Sequence, residues 1–185
     1  MPTTAPHPDD RLLDALRDEF GRHEPALAER VLDVLVEHRD DHDNLDETIW
    51  GPAPSLEEAL TAEIRSHQLL QQAREQVLAN SLSRAEAAER LGVGPQRISR
   101  LVNDGDLIAL EEDGQLRLPT WQFHPDTANG RLSHIAEVAR AHAGGPLTLT
   151  QWMLRPNPAL GGRTPVDALI DGDHRPVVAA AAARV

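Results

Sequence analysis

Apolar residues recur along most of this chain at helical spacing. From about Asp9, Leu12, Leu13, Leu16 and Phe20 form one stripe, and Gly21 suits a helix end. Pro25 suits the first turn of a second helix, whose stripe is Leu27, Val31, Leu32, Leu35 and Val36. The run Arg39-Asp-Asp-His-Asp-Asn ends it, and Trp50-Gly-Pro-Ala-Pro reads as a turn or linker. Ser55 and Glu58 then form a capping box, in which each side chain satisfies a free backbone N–H of the other residue. The helix they open is expected to reach about Asn80, with Leu56, Leu60, Ile64, Leu70, Ala73 and Val77 on one broad face. Its length and its Gln and Glu content make it a candidate dimer element.

The pattern then shortens. Ser83-Arg-Ala-Glu is a second capping box, opening a helix over Arg84–Leu91 with Ala85, Ala88 and Leu91 on one face. Gly92 suits the left-handed conformation that ends a helix, and Val93 is expected to plug the space before the next one. Pro95 opens that second helix. Its apolar residues Ile98, Leu101 and Val102 face inward, which leaves Gln96, Arg97, Arg100 and Asn103 outward and Ser99 near the boundary. Leu107–Leu110 reads as a strand, Glu111–Gly114 as a turn and Gln115–Leu118 as a second strand. Asp113-Gly114 is a strong hairpin signal. Trp121 and Phe123 return to the core.

Two short helices followed by a β wing suit the major groove of double-stranded DNA. Arginine pairs bidentately with guanine, and Gln or Asn with adenine. Because the start of the second helix lies over the base edges, Gln96, Arg97 and Arg100 are the expected readers. Ser99 and Asn103 are expected phosphate contacts, and Arg117 on the wing is within reach of a phosphate or the minor groove. Ala87-Ala-Glu-Arg-Leu-Gly-Val, Ile98-Ser-Arg-Leu-Val, Leu107-Ile and Trp121-Gln-Phe together resemble the winged helix-turn-helix of the MerR and excisionase superfamily.

Beyond it, residues 131–143 read as a helix with Leu132, Ile135, Val138 and Ala139 on one face, broken by Gly144-Gly-Pro. Thr148 or Thr150 is expected to cap a short helix carrying Trp152 and Leu154, which Pro156 stops. Asn157-Pro-Ala-Leu-Gly-Gly is a tight turn. Thr164 and Pro165 open a helix with Val166, Leu169 and Ile170, and Gly172 ends it. An Ala-rich helix over about Arg175–Arg184 closes the chain.

Trp152, Pro156, Asn157, Pro158, Leu160, Gly161, Gly162, Thr164, Pro165 and Leu169 resemble, in order and spacing, the toxin-binding domain of Xre/MbcA/ParS-type antitoxins. That resemblance implies a RES-domain toxin as partner, neutralisation of that toxin, and repression of the operon. The usual DNA-binding half of that family is an Xre-type helix-turn-helix, so the winged module departs from it. The turn and cap residues have structural roles by their own chemistry. Trp152, Arg155, Arg163, Arg175 and Arg184, with the carboxylate of Val185, are the expected partner-facing groups. The alternative is a transcriptional regulator whose C-terminal domain dimerises or binds another partner.

The net charge of −12 at first opposes DNA binding, but its distribution removes the conflict. The first 80 residues hold 18 acidic and 7 basic residues, Ser81–Phe123 hold 7 and 5, and the remainder 5 and 6. Phosphate binding needs a local basic face rather than a basic protein. All 18 basic residues are arginines.

With only 3% aromatics, the core is built from Leu, Val, Ile and Ala, which favours packed helices. The expected fold is mainly α: an acidic helical region over 1–80, a winged helix-turn-helix over 81–123 and a small helical domain over 124–185. Cysteine is absent, which excludes disulfides and thiolate metal sites. No apolar run reaches 18 residues and no leader pattern opens the chain, so a cytoplasmic protein with no membrane span is expected. His38 and His42 beside Asp40, Asp41 and Asp43 have metal-ligand spacing, but a solvated helix end is the simpler reading. No catalytic set and no cofactor motif is apparent, so no enzyme is expected.

Overall fold

The computed structural model describes residues 27, 30–33, 55–127 and 129–183. The expected helix at Asp9–Phe20, the acidic run, the Trp50 linker, Arg184 and Val185 lie outside them. By its contacts the chain divides into two units, Met1–Gln72 and Ala73–Val185. The boundary falls within helix α1 (Leu56–Ala79), where the continuous backbone passes from one unit to the other.

In the first unit, Leu27 and Arg30–Asp33 are helical, and Leu27 and Val31 are buried. Arg30 is ion-paired to Glu63 of α1. The Ser55 box has formed: Ser55 N donates to Glu58 Oε2 at 2.8 Å, and Glu58 N donates to Ser55 Oγ at 3.3 Å. Those hydrogen bonds, the backbone one first, hold the Glu58 carboxyl below its ordinary pKa.

The second unit begins in the last turns of α1. Strand β1 (Ser81–Ser83) leads into α2 (Arg84–Leu91) and α3 (Pro95–Asn103), followed by β2 (Leu110–Glu112) and β3 (Gln115–Pro119). The sheet is antiparallel in the order β1-β3-β2, with Leu82 opposite Leu118 and Glu112 opposite Gln115. A three-residue strand such as β1 has no alternation to read, and its partner lies far along the chain. Only the fold creates it.

The hairpin turn is Asp113-Gly114, with φ of 49° and 72°. Positive φ at both central residues is the two-residue geometry whose twist matches the flanking strands. Pairing therefore starts directly at Glu112 and Gln115. The strand falls at Leu110–Glu112, not at the expected Leu107–Leu110. Leu107 instead donates its N–H to Leu101 O at 3.0 Å and closes the end of α3.

After a 3-10 turn over Thr120–Gln122 come α4 (Ile135–Ala141), α5 (Pro146–Met153), a second 3-10 turn (Pro158–Leu160), α6 (Pro165–Ile170) and α7 (His174–Ala182). α4 is shorter than the expected 131–143. Arg131 is held by Asp106 at 3.1 Å, Leu132 N donates to Gln122 O, and His134 at the N-cap has a φ of 65°. α5 starts at Pro146, ahead of the expected threonine caps. Thr148 Oγ1 donates back to Gly145 O, and Thr150 is buried.

One cluster of buried side chains unites these elements. Ile98, Leu107 and Leu118 of the winged module join Leu132, Val138, Met153 and Val177 of the C-terminal helices. Each large aliphatic residue contributes about 1.5–3 kcal/mol by leaving water. The chain is thus mainly α with a small antiparallel sheet, as the pattern implied.

Candidate nucleic-acid interface and partner surface

The helix pair is set by local chemistry. Ser83 caps α2: its side chain accepts from Glu86 N, and the Glu86 carboxylate accepts from Ser83 N at 2.7 Å. These bonds, the side-chain one first, hold the Glu86 carboxyl below its ordinary value. Gly92 ends α2 at a φ of 64°, donating its N–H to Ala88 and Glu89 carbonyls. Gly94 and Pro95 open α3.

Of the expected face of α2, Ala88 is buried and Leu91 packs against the core, while Ala85 is exposed and Ala87 takes the buried place instead. Val93 is 39% exposed and does not plug the turn. The gap between the helices is filled from α3 by Ile98 and Leu101.

With that face of α3 buried, the opposite face is presented to solvent. Gln96, Arg97, Arg100 and Asn103 are exposed and Ser99 is half-buried. α3 carries no acidic residue. Among the described residues the side chains of Arg97 and Arg100 make no ion pair or hydrogen bond.

Arg84, at the first position of α2, reaches across to Ser99 Oγ at 3.4 Å and extends this basic face. Sequence reasoning passed over Arg84. Its signal was an arginine immediately after a capping serine, at the end of a helix that crosses the DNA backbone in such motifs.

Arg117 is placed differently from the other five sequence candidates. Its Nε lies 3.4 Å from Glu112 Oε2, and its Nη2 donates to Leu78 O. Its side chain is 28% exposed and tied to Glu112 of β2 and to Leu78 of α1. The neighbouring wing carries Glu111, Glu112 and Asp113, a local negative charge that disfavours phosphate. Arg74 donates to Glu111 O, tying the wing to the end of α1.

In the C-terminal part the turn residues act as their chemistry implies. Asn157 Oδ1 accepts from Ala159 N, and Gly162 N donates to Asn157 O. Thr164 caps α6 by accepting from Asp167 N at 3.1 Å. Arg163 lies at the centre of this loop: Nη2 pairs with Asp173 and Nη1 with Asp171, each at 2.7 Å. Those two carboxylates, Asp173 first, raise the guanidinium pKa further.

Among the other expected partner-facing groups, Arg155 and Arg175 are exposed, with no side-chain bond to any described residue. Trp152 is half-buried, its ring 5.6 Å from that of His142. Arg184 and Val185 lie outside the described residues.

Among the described residues no group of three or more His, Asp or Glu is placed to hold a metal ion. Among them, too, no helix is long and apolar enough to cross a membrane.

No curated protein and no solved structure shows a significant match to the chain. Two family models do match segments of it. Residues 72–123 match the winged helix-turn-helix domain of DNA-binding protein Rv2175c, and residues 138–173 match the C-terminal toxin-binding domain of Xre/MbcA/ParS antitoxins. Neither family is enzymatic. A DNA-binding domain followed by a toxin-binding domain supports a DNA-binding antitoxin, and that is what this chain resembles over both segments.

Proposed function

We propose that this protein is the DNA-binding antitoxin of a type II toxin–antitoxin system, which represses its own operon and neutralises a RES-domain toxin. The observation that carries the reading is the succession of the two matched segments on one compact unit with a common core.

On this reading Gln96, Arg97 and Arg100 contact base edges in the operator, and Ser99, Asn103 and Arg84 contact phosphates. Arg117 acts from within by holding the wing. Trp152, Arg155 and Arg175 face the toxin, together with Arg184 and the Val185 carboxylate. Arg163 supports the turn between the second 3-10 segment and α6. The protein works as a homodimer in the cytoplasm. Ile64, Leu69 and Leu70, exposed on α1, support a second copy there.

The test is co-expression with the neighbouring reading frame. A growth-arresting neighbour that is rescued by this chain and co-purifies with it is expected, together with retardation of DNA from the shared promoter. If the neighbour binds neither this chain nor its toxicity is relieved, the antitoxin reading fails. Retardation that persists in that case would leave a DNA-binding regulator.

A further inference from the structure

A groove of about 650 Å³ lies between the last turns of α1, the end of α2, the first 3-10 turn, α5 and α6. Its floor is apolar, with Val77, Trp121, Phe123 and Val166. Thr150, at the base, accepts the Trp121 Nε1–H at 3.4 Å, so the indole is held in place. Leu154 stands on the rim 51% exposed, high for a large aliphatic side chain.

The permanently charged groups of the lining are all arginines. Arg90, Arg155 and His124 line the groove and none of the described lining residues is acidic, in a chain with 30 carboxylate side chains and 18 arginines. The Arg155 guanidinium has no partner among the described residues. Arg90 lies over the Phe123 ring at 6.0 Å, with a long bond to Phe123 O. His124 is adjacent to Asp126, a carboxylate 81% exposed that does not line the groove.

We propose that this groove takes an acidic peptide segment of a partner protein, with one large apolar side chain seated against Leu154 and Trp121 and its carboxylates on Arg155 and Arg90. Two arginines, neither paired with a carboxylate among the described residues, beside an apolar floor complement that chemistry. Nucleic acid fits less well, because a phosphate backbone gains nothing from the apolar floor. Arg90 also lies six residues beyond Arg84, about 9 Å further along α2 from the contact with Ser99.

An occupant touches residues of both matched segments at once, so partner binding has a physical route to the helix pair through Arg90. This deepens the partner-binding reading of α5 and α6 and rests on it only for whose segment is bound.

The experiment is selection of phage-displayed random peptides of about 12 residues on the immobilised full chain, a length that spans such a groove. Enrichment of Asp and Glu around Leu, Ile, Phe or Trp is expected. Binding of the synthesised winner is expected to weaken about tenfold in Leu154→Ser and in Arg155→Glu, and to weaken with salt. Both residues are exposed, and circular dichroism melting verifies that the variants fold.

Neutral or basic winners would overturn the proposal. So would acidic winners indifferent to both substitutions, or winners displaced by DNA and lost in Arg97→Ala. Because no toxin enters this selection, its failure leaves the co-expression test of the antitoxin reading untouched.

Discussion

The side-chain amide of Gln122 pairs with the backbone of Ile108 in both directions. Nε2 donates to Ile108 O at 2.8 Å and Oε1 accepts the Ile108 N–H. Nε2 also donates to Pro119 O at 3.1 Å, and the side chain is fully buried. A glutamine here does the work of a strand: it satisfies both polar groups of a residue that has left α3 and not yet entered β2. Gln122→Ala leaves those groups unpaired beside a cavity, and a loss of about 2–4 kcal/mol is expected in urea unfolding. A loss below about 0.5 kcal/mol would show that water replaces the amide without penalty.

The exposed guanidiniums on α3 predict a split between affinity and stability. Arg97→Ala and Arg100→Ala are each expected to weaken operator binding by about 1–3 kcal/mol and to relax sequence preference, with unfolding unchanged. Arg84→Ala is expected to weaken binding to all sequences alike and to reduce the salt slope by about 1. Fluorescence anisotropy over a salt series reads both. Equal losses on operator and random DNA for Arg97→Ala would move that residue from bases to phosphates.

The capping box at α2 predicts a direction with pH. The Glu86 carboxyl is held below its ordinary value in the folded chain. Its contribution is therefore complete above the unfolded pKa of about 4.3 and is lost as pH falls through the lower, folded one. Glu86→Gln keeps the hydrogen-bonding shape and removes the titration. The melting temperature of the parent should exceed that of the variant near neutral pH, and the difference should shrink below about pH 4. A gap that widens on acidification would reverse the assignment.

The wing turn isolates a backbone effect. Gly114 has a φ of 72° with open space where a Cβ would stand. Gly114→Ala therefore introduces no clash and costs only the left-handed conformation, about 1–2 kcal/mol. Asp113→Gly relieves a similar strain at a φ of 49° and is expected to be nearly neutral or stabilising. Equilibrium unfolding of both variants checks the opposite signs.

The outward face of α3 was legible in the sequence because it follows from local rules. A helix of nine residues that buries Ile98 and Leu101 turns Gln96, Arg100 and Asn103 to its far side, and Arg97, at the border of the buried face, is exposed as well. The two capping boxes, Gly92, Pro95, the Asp113-Gly114 turn and the Thr164 cap were legible for the same reason. Each is chemistry between residues a few positions apart.

Only the tertiary structure decided the rest. β1 exists because Leu82 meets Leu118, 36 positions away. Arg117 and Arg163 look like free cations in the sequence, yet the fold places carboxylates beside them, Glu112 for one and Asp171 and Asp173 for the other. The groove at Leu154 needs α1, α2, α5 and α6 in one place. Short-range periodicity and capping are written into the order of residues. Charge pairing, strand pairing and cavities depend on distances between residues far apart in the chain, which the core of Ile98, Leu118, Met153 and Val177 sets when it closes.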